Sequence, residues 1–361
     1  MTKRSVLLTL LALVALVGLL LLVPNREKTG RESYIYNEGT IFGTLYHAKY
    51  LSDKDLKEEI EAELHKVDAS LSMFNPQSTI SRINRNETDE ADEMLAEVLS
   101  LAFLVNKATG GAFDPTVAPL VNAWGFGFKS GQLPDSTQVD SLRALVGLAG
   151  IHLKEGRLGK DNPLAILDFS AIAKGYGSDK AAQVLSSHGI KNFMVEIGGE
   201  VVTKGVNEKG EPWRIGINKP DDDSTSTSTE LQDVITISEG AIATSGNYRN
   251  YYIHEGRKIA HTINPLTGYP AQQDILSSTV IAPTCAEADA FATAFMVLGL
   301  EKAKEVLRKQ PQLKAYFIYS DQQGNYQTWS SIQKKKKKKR LKITDYRLKF
   351  GCFAASHHYQ P

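Results

Sequence analysis

Helix-like and strand-like segments follow one another irregularly along this chain, and that irregularity does most to limit its fold. Leu56, Ile60, Leu64, Val67 and Leu71 keep helical spacing, so Asp53–Leu71 reads as a helix. Met94–Ala108 is a second amphipathic helix, stopped by Thr109, Gly110 and Gly111. Thr40–Tyr50 reads as a strand with a glycine interruption, and Leu164–Phe169 as a short strand running into a helix from about Ala171 to His188. Phe193–Ile197, the pair Gly198-Gly199 and Glu200–Thr203 form a strand, tight turn, strand pattern. Val234–Ile237 and Ser277–Ile281 are further strands, and a last helix spans Cys285–Leu298. A doubly wound parallel sheet needs regular alternation, and a dinucleotide fold needs a glycine-rich turn after its first strand; neither is present. The expectation is α+β: a single domain of mixed sheets and packed helices.

The two ends of the chain differ from the body. Lys3 and Arg4 precede 18 uncharged residues, VLLTLLALVALVGLLLLV (6–23). A basic start with an apolar run is the form of a secretory signal, and the run reaches the ~17–25 residues that span a bilayer. No small-residue cleavage site follows closely, so residues 1–24 read as an uncleaved transmembrane signal-anchor. The expected location is a bacterial inner membrane, with the body on the periplasmic side. Residues 25–37 read as a linker, 38–333 as the folded domain, and 334–361 as a basic tail outside the fold. That tail holds ten Lys and Arg and one acid; without it, 32 basic and 40 acidic residues remain, a net charge of −8. An acidic body argues against nucleic-acid binding. The six consecutive lysines read as an A-rich coding run with a slipped frame. PDDDSTSTSTE (220–230) reads as a solvated loop without chemistry. Cys285 and Cys352 are the only thiols, which leaves no cysteine metal site and no lipid attachment near the N-terminus.

Two segments carry chemistry. Thr284, with Glu287 three residues on, has the pattern of a capping box, which puts Asp289 in the second helical turn. Thr293, four residues later, shares its face. The surrounding residues are small and apolar, so the carboxylate is expected to be buried and in need of a partner. A hard cation bound by carboxylate and hydroxyl oxygens is one such partner; an Arg or a backbone donor is the other. In the second segment Asp168 ends a strand, Ser170 is placed to cap the next helix, and Lys174 sits one turn in. A helix N-terminus with a lysine suits phosphate, although a capped helix with a surface lysine has the same pattern. Asp114 and Glu200 each lie beside glycines, where backbone can approach a ligand or simply turn. Ser245, Arg249 and His261 lie in loop contexts, and His261 is the body histidine best suited to proton transfer.

Taken in order, the motifs resemble the ApbE family of flavin transferases, which move FMN from FAD onto a protein. The matching stretches are Phe42-Gly43-Thr44, LSMF (71–74), SRIN (81–84), GGAFDPTVAPLVNAWGFG (110–127) and LDFSAIAKGYGSD (167–179). EIGGEV (196–201), PWRIGI (212–217), IATSGNYRNYY (242–252), HTINPLTGYP (261–270) and EADAFATAF (287–295) follow. The resemblance implies FAD held by Phe42, Phe74, Ala112, Phe113, Asp114, Asp168, Lys174 and Ile263. It implies Mg²⁺ bound by the Ala171 carbonyl, Asp289 and Thr293. The implied reaction joins FMN to a Thr or Ser hydroxyl of an acceptor subunit, of the kind found in membrane redox complexes, and releases AMP. Catalysis is assigned to His261 and Asp289. Family members usually have Met where Phe42 stands, and some have an acid at Ala292. The alternatives are an FAD pyrophosphatase, with water as nucleophile, and a non-enzymatic flavin carrier.

Overall fold

Eight strands build one antiparallel sheet whose spatial order follows the chain. They are β1 (Ser33–Ile41), β2 (Thr44–Ser52), β3 (Phe193–Ile197), β4 (Glu200–Lys204), β5 (Glu239–Gly246), β6 (Ile275–Ala282), β7 (Lys314–Ser320) and β8 (Tyr326–Ser330). Every neighbouring pair is antiparallel, so no crossover connection is required. The computed structural model describes residues 33–127, 133–220, 230–247, 251–254 and 257–332. Its sheet and helix layers are those of an α+β protein.

Four helices form the layer that carries the site: α1 (Lys57–Leu71), α2 (Glu93–Thr109), α3 (Ala173–Ser187) and α4 (Cys285–Leu298). Helix α3 packs on α1, α4, β3 and β4, while α4 packs on α2, β5 and β6. Buried residues run almost all the way round α4, from Cys285 to Val297. A helix apolar on every side must be central, and its alanines let neighbours approach closely. Period-two alternation sorts β5 and β7 between the two faces of the sheet. Ala243, Ala315 and Phe317 join the core under the helices, whereas Ile242, Tyr316 and Ile318 pack with Ile217 and Ile235 of the hairpin Trp213–Asn218/Leu231–Ile237.

Several local expectations are corrected. Thr40–Tyr50 is not one strand: β1 and β2 meet at a turn in which Phe42 has φ 51° and Gly43 φ 71°. Residues 33–37, assigned to the linker, pair with 48–52. As an edge strand β1 buries few side chains, so it carries no apolar pattern to be read. Leu164–Phe169 is not a strand, because the Asn84 side chain serves both backbone groups of Leu167 and Asp168 N–H donates to the Pro115 carbonyl. Cys285–Leu298 is not the last helix; Gly299 (φ 76°) breaks it, and Leu300–Lys309 is helical again. The signal-anchor, residues 25–32 of the linker, the low-complexity loop at 221–229 and the basic tail lie outside the described residues. Among the described residues no helix is long and apolar enough to cross a membrane.

Candidate functional site

Helices α3 and α4 touch backbone to backbone at one point. A Cβ on Gly175 would lie 2.4 Å from the Cys285 carbonyl oxygen, so only glycine allows this crossing. The Gly175 N–H donates to Asp289 Oδ2 at 3.2 Å instead of to the carbonyl four residues back. Ala171 therefore keeps its carbonyl outside the helical ladder, which starts at Ala173. One turn further along α3, the Asp179 carboxylate accepts from Cys285 and Ala286 N–H at 2.8 and 2.9 Å, capping α4 from its neighbour. Thr284 is the N-cap, its hydroxyl accepting from Glu287 N–H at 3.3 Å. The return half of the expected capping box is not made, because the Glu287 carboxylate accepts from Gln312. Ser170 does not cap α3; Ile172 stands at the N-cap, and Ser170 donates to Asp168.

Lys174 occupies the first turn of α3 between two buried carboxylates. Its Nζ donates to Glu200 Oε1 at 3.1 Å and lies 3.9 Å from Asp289 Oδ2. Glu200 Oε2 is buried with no hydrogen-bond partner among the described residues. Burial opposes charge on Lys174, but Asp289 and Glu200 outweigh it and raise the lysine pKa, which keeps the ammonium charged. Burial raises the Glu200 and Asp289 pKa values against the pull of Lys174. One ammonium faces two buried carboxylates, and burial presses both acids toward their neutral forms, so the cluster is short of positive charge. Thr293, one turn beyond Asp289, shares a 3.1 Å hydroxyl contact with Ser245 on β5.

Two turns close over this cluster. In the β3–β4 turn, Gly198 (φ 61°) presses so near to Thr44 and to Lys174 Cδ that a Cβ there would meet both. In the β1–β2 turn, Phe42 lays its ring against Gly177 of α3. The structure thus sets Phe42 against α3 and Lys174 beside Asp289, with Ala171 just before α3 and Thr293 one turn further along α4.

The other sequence-derived positions are arranged differently. Ala112, Phe113 and Asp114 are buried, so the first two offer a ligand backbone more than side chain. Asp114 accepts from Thr116 N–H and hydroxyl and from Leu148 N–H, which fixes its loop. Asp168 is half-buried, and burial raises its pKa against the hydrogen bonds from Ser170. The Pro115 carbonyl ties this residue to the Asp114 turn. Phe74 projects outward, 73 % exposed. Ile263 is buried with Leu120 and Trp124 and bridges to Pro270. His261 is half-buried, its ring edge-on to Phe126 at 6.3 Å. Its neighbour Thr262 donates to Asn247, two residues beyond Ser245. Sequence reasoning noted Glu200 and Ser245 only in passing and gave Asp179 no role; what signals Glu200 is an acid following a Gly-Gly turn at a strand position that faces inward.

The donors assigned to a cation are the Asp289 carboxylate, the Thr293 hydroxyl one turn further along α4, and the Ala171 carbonyl left out of the α3 ladder. Among the described residues no group of three or more His, Cys, Asp or Glu is placed for a metal. An all-oxygen set of this kind suits a hard cation such as Mg²⁺ and not zinc. The burial of Asp289, with its carboxylate beyond hydrogen-bond reach of Lys174, agrees with that fit.

Comparison with known proteins gives one family throughout. The ApbE family model matches residues 42–317. The chain is 40% identical over 314 residues to an FAD:protein FMN transferase of Haemophilus influenzae, covering 82% of this chain and 90% of that one. It is 35% identical over 324 residues to an FAD:protein FMN transferase of Escherichia coli, covering 86% and 91%. Among solved structures, the flavin transferase ApbE from Vibrio cholerae superposes with a TM-score of 0.75 at 35% identity, covering 83% of this chain and 97% of that one.

Proposed function

Because the chain belongs to the ApbE family, we propose that it transfers FMN from FAD to a Thr or Ser hydroxyl of an acceptor protein, releasing AMP. Flavin transfer to a protein rests on the relatives; the chemistry within the site rests on the cluster around Asp289. The observation that carries it is a charged lysine at the start of α3, facing a buried carboxylate on α4. A helix N-terminus with a lysine is built for a pyrophosphate.

In the proposed reaction the acceptor hydroxyl oxygen bonds to the FMN phosphorus. The phosphoanhydride bond to AMP breaks, and AMP leaves with the electron pair. Lys174 and the N–H groups at the start of α3 bind and orient the phosphate oxygens, where negative charge grows. Asp289, Thr293 and the Ala171 carbonyl hold a Mg²⁺ ion, which supplies charge neutralisation and Lewis acidity at the pyrophosphate. His261 takes the proton from the attacking hydroxyl. Phe42 walls the site on the α3 side, while Ala112–Asp114 and Asp168 present backbone and carboxylate groups for the rest of FAD. Phe74, exposed beyond α1, offers an aromatic face to the same ligand. Ile263, buried against Leu120 and Trp124, fixes the segment that follows His261.

Incubation with FAD, Mg²⁺ and an acceptor protein tests this reading. Covalently flavinylated acceptor supports it; AMP and free FMN alone would make the protein a hydrolase, and intact bound FAD a carrier. His261→Ala is expected to lower transfer by about 10²- to 10⁴-fold, the range for general base catalysis. Transfer at the original rate in that variant removes His261 from the mechanism. The apolar run at 6–23 supports an inner-membrane anchor, with the catalytic domain on the periplasmic side facing a membrane redox complex. Deleting 334–361 is expected to leave the transfer rate within about twofold, since the family match ends at residue 317.

A further inference from the structure

Glu200 lies in the cluster but on neither the cation nor the phosphate side of the proposed chemistry. It is 3% exposed and opens β4 directly after the Gly198-Gly199 turn. Its Oε1 accepts from Lys174 Nζ at 3.1 Å, while Asp289 Oδ2 lies at 3.9 Å, beyond hydrogen-bond reach of the same ammonium. The lysine is therefore bonded to Glu200 and only attracted by Asp289. Both carboxylates are buried, so whichever one binds the ammonium leaves the other short of positive charge. Glu200 Oε2 has no hydrogen-bond partner among the described residues, which leaves the Lys174 contact as the role of this carboxylate.

We propose that Glu200 is a positioning residue: it anchors Lys174 on the β4 side and so keeps the Asp289 carboxylate open for the cation. Without that anchor the ammonium closes the remaining distance to Asp289 and competes with the metal for its oxygens. The turn before Glu200 serves the same end, since Gly198 sits against Lys174 Cδ and limits where the side chain can swing. This inference rests on the assignment of Asp289 as a cation ligand.

The test is Mn²⁺ binding to the full chain, followed by electron paramagnetic resonance without FAD or acceptor. Glu200→Gln keeps the size and an acceptor oxygen but removes the charge; it is expected to weaken Mn²⁺ binding about tenfold with an unchanged circular dichroism spectrum. Glu200→Asp keeps the charge and is expected to stay within about threefold of the original affinity, which also covers the case in which the Gln variant does not fold. In a Lys174→Met background, Glu200→Gln should change the affinity by less than about threefold, because the lysine through which it acts is gone. An unchanged Mn²⁺ affinity in Glu200→Gln overturns the proposal, and so does a tenfold loss that persists in the Lys174→Met background, which would make Glu200 a direct ligand. No Mn²⁺ binding to the unaltered chain instead overturns the cation site itself.

Discussion

Asp289→Asn is expected to reduce Mg²⁺-dependent flavin transfer by about 10³-fold while leaving the melting temperature at or above its original value. The activity loss follows from removing the only carboxylate in the proposed cation site. A metal acting as Lewis acid is worth several kcal/mol, and each ~1.4 kcal/mol is tenfold in rate. The stability result follows from charge. Asp289 is 2% exposed, and with Glu200 it shares a single ammonium. Asparagine keeps an oxygen to accept from Gly175 N–H, removes a buried acid whose ionisation burial opposes, and leaves Lys174 and Glu200 as a one-to-one pair. Loss of function with retained stability marks a residue kept for chemistry at a cost to the fold. Thermal melts and transfer assays on the same preparation check both halves, and full activity in the variant would sink the cation assignment.

Gly175→Ala is expected to be the most damaging one-methyl change in the helical layer. Its Cβ would fall 2.4 Å from the Cys285 carbonyl oxygen, 2.6 Å from its carbon and 2.9 Å from Ala286 N, all of them backbone atoms. Backbone at the start of a capped helix cannot turn aside as a side chain can, so α3 and α4 must separate. Overpacking costs about 1–3 kcal/mol and sometimes more; this site belongs at the upper end, with a fall of about 6 °C or more in Tm. Separation also pulls Lys174 from Asp289, and a displacement of about 1 Å in a reacting constellation costs about 10²-fold in rate. Gly177→Ala is the contrasting change: its Cβ meets the outer edge of the Phe42 ring at 2.5 Å, which can rotate away at about 1 kcal/mol. Equal melting temperatures for Gly175→Ala and Gly177→Ala would contradict the close crossing.

Much of the site is legible in the sequence because its signals are local. Asp289 and Thr293 share a face through helical periodicity, and Thr284 caps their helix as its type and position require. Helices α1, α2 and α4 agree with their expected spans to within a few residues, since α1 and α2 each bury an apolar stripe and α4 is buried almost all round. The segments that differ from expectation answer to non-local partners. Leu164–Phe169 has strand composition, but the Asn84 amide takes the backbone groups a ladder would need. Ser170 has the residue type of a cap, yet its hydroxyl donates to Asp168. β1, at the sheet edge, has little apolar surface to bury and so gives no pattern.

The sequence by itself determined the α+β class, the central helix with its buried carboxylate, and the ordered motifs that mark an ApbE member, because periodicity, capping and motif order are properties of neighbouring residues. Only the tertiary structure decided how charge is shared. Lys174, Glu200 and Asp289 are far apart in sequence, and a Gly175 crossing and a Gly198 turn set their separations of 3.1 and 3.9 Å. Whether a lysine belongs to one carboxylate or another depends on less than an ångström in a buried, weakly screened place, and no spacing along the chain encodes that distance.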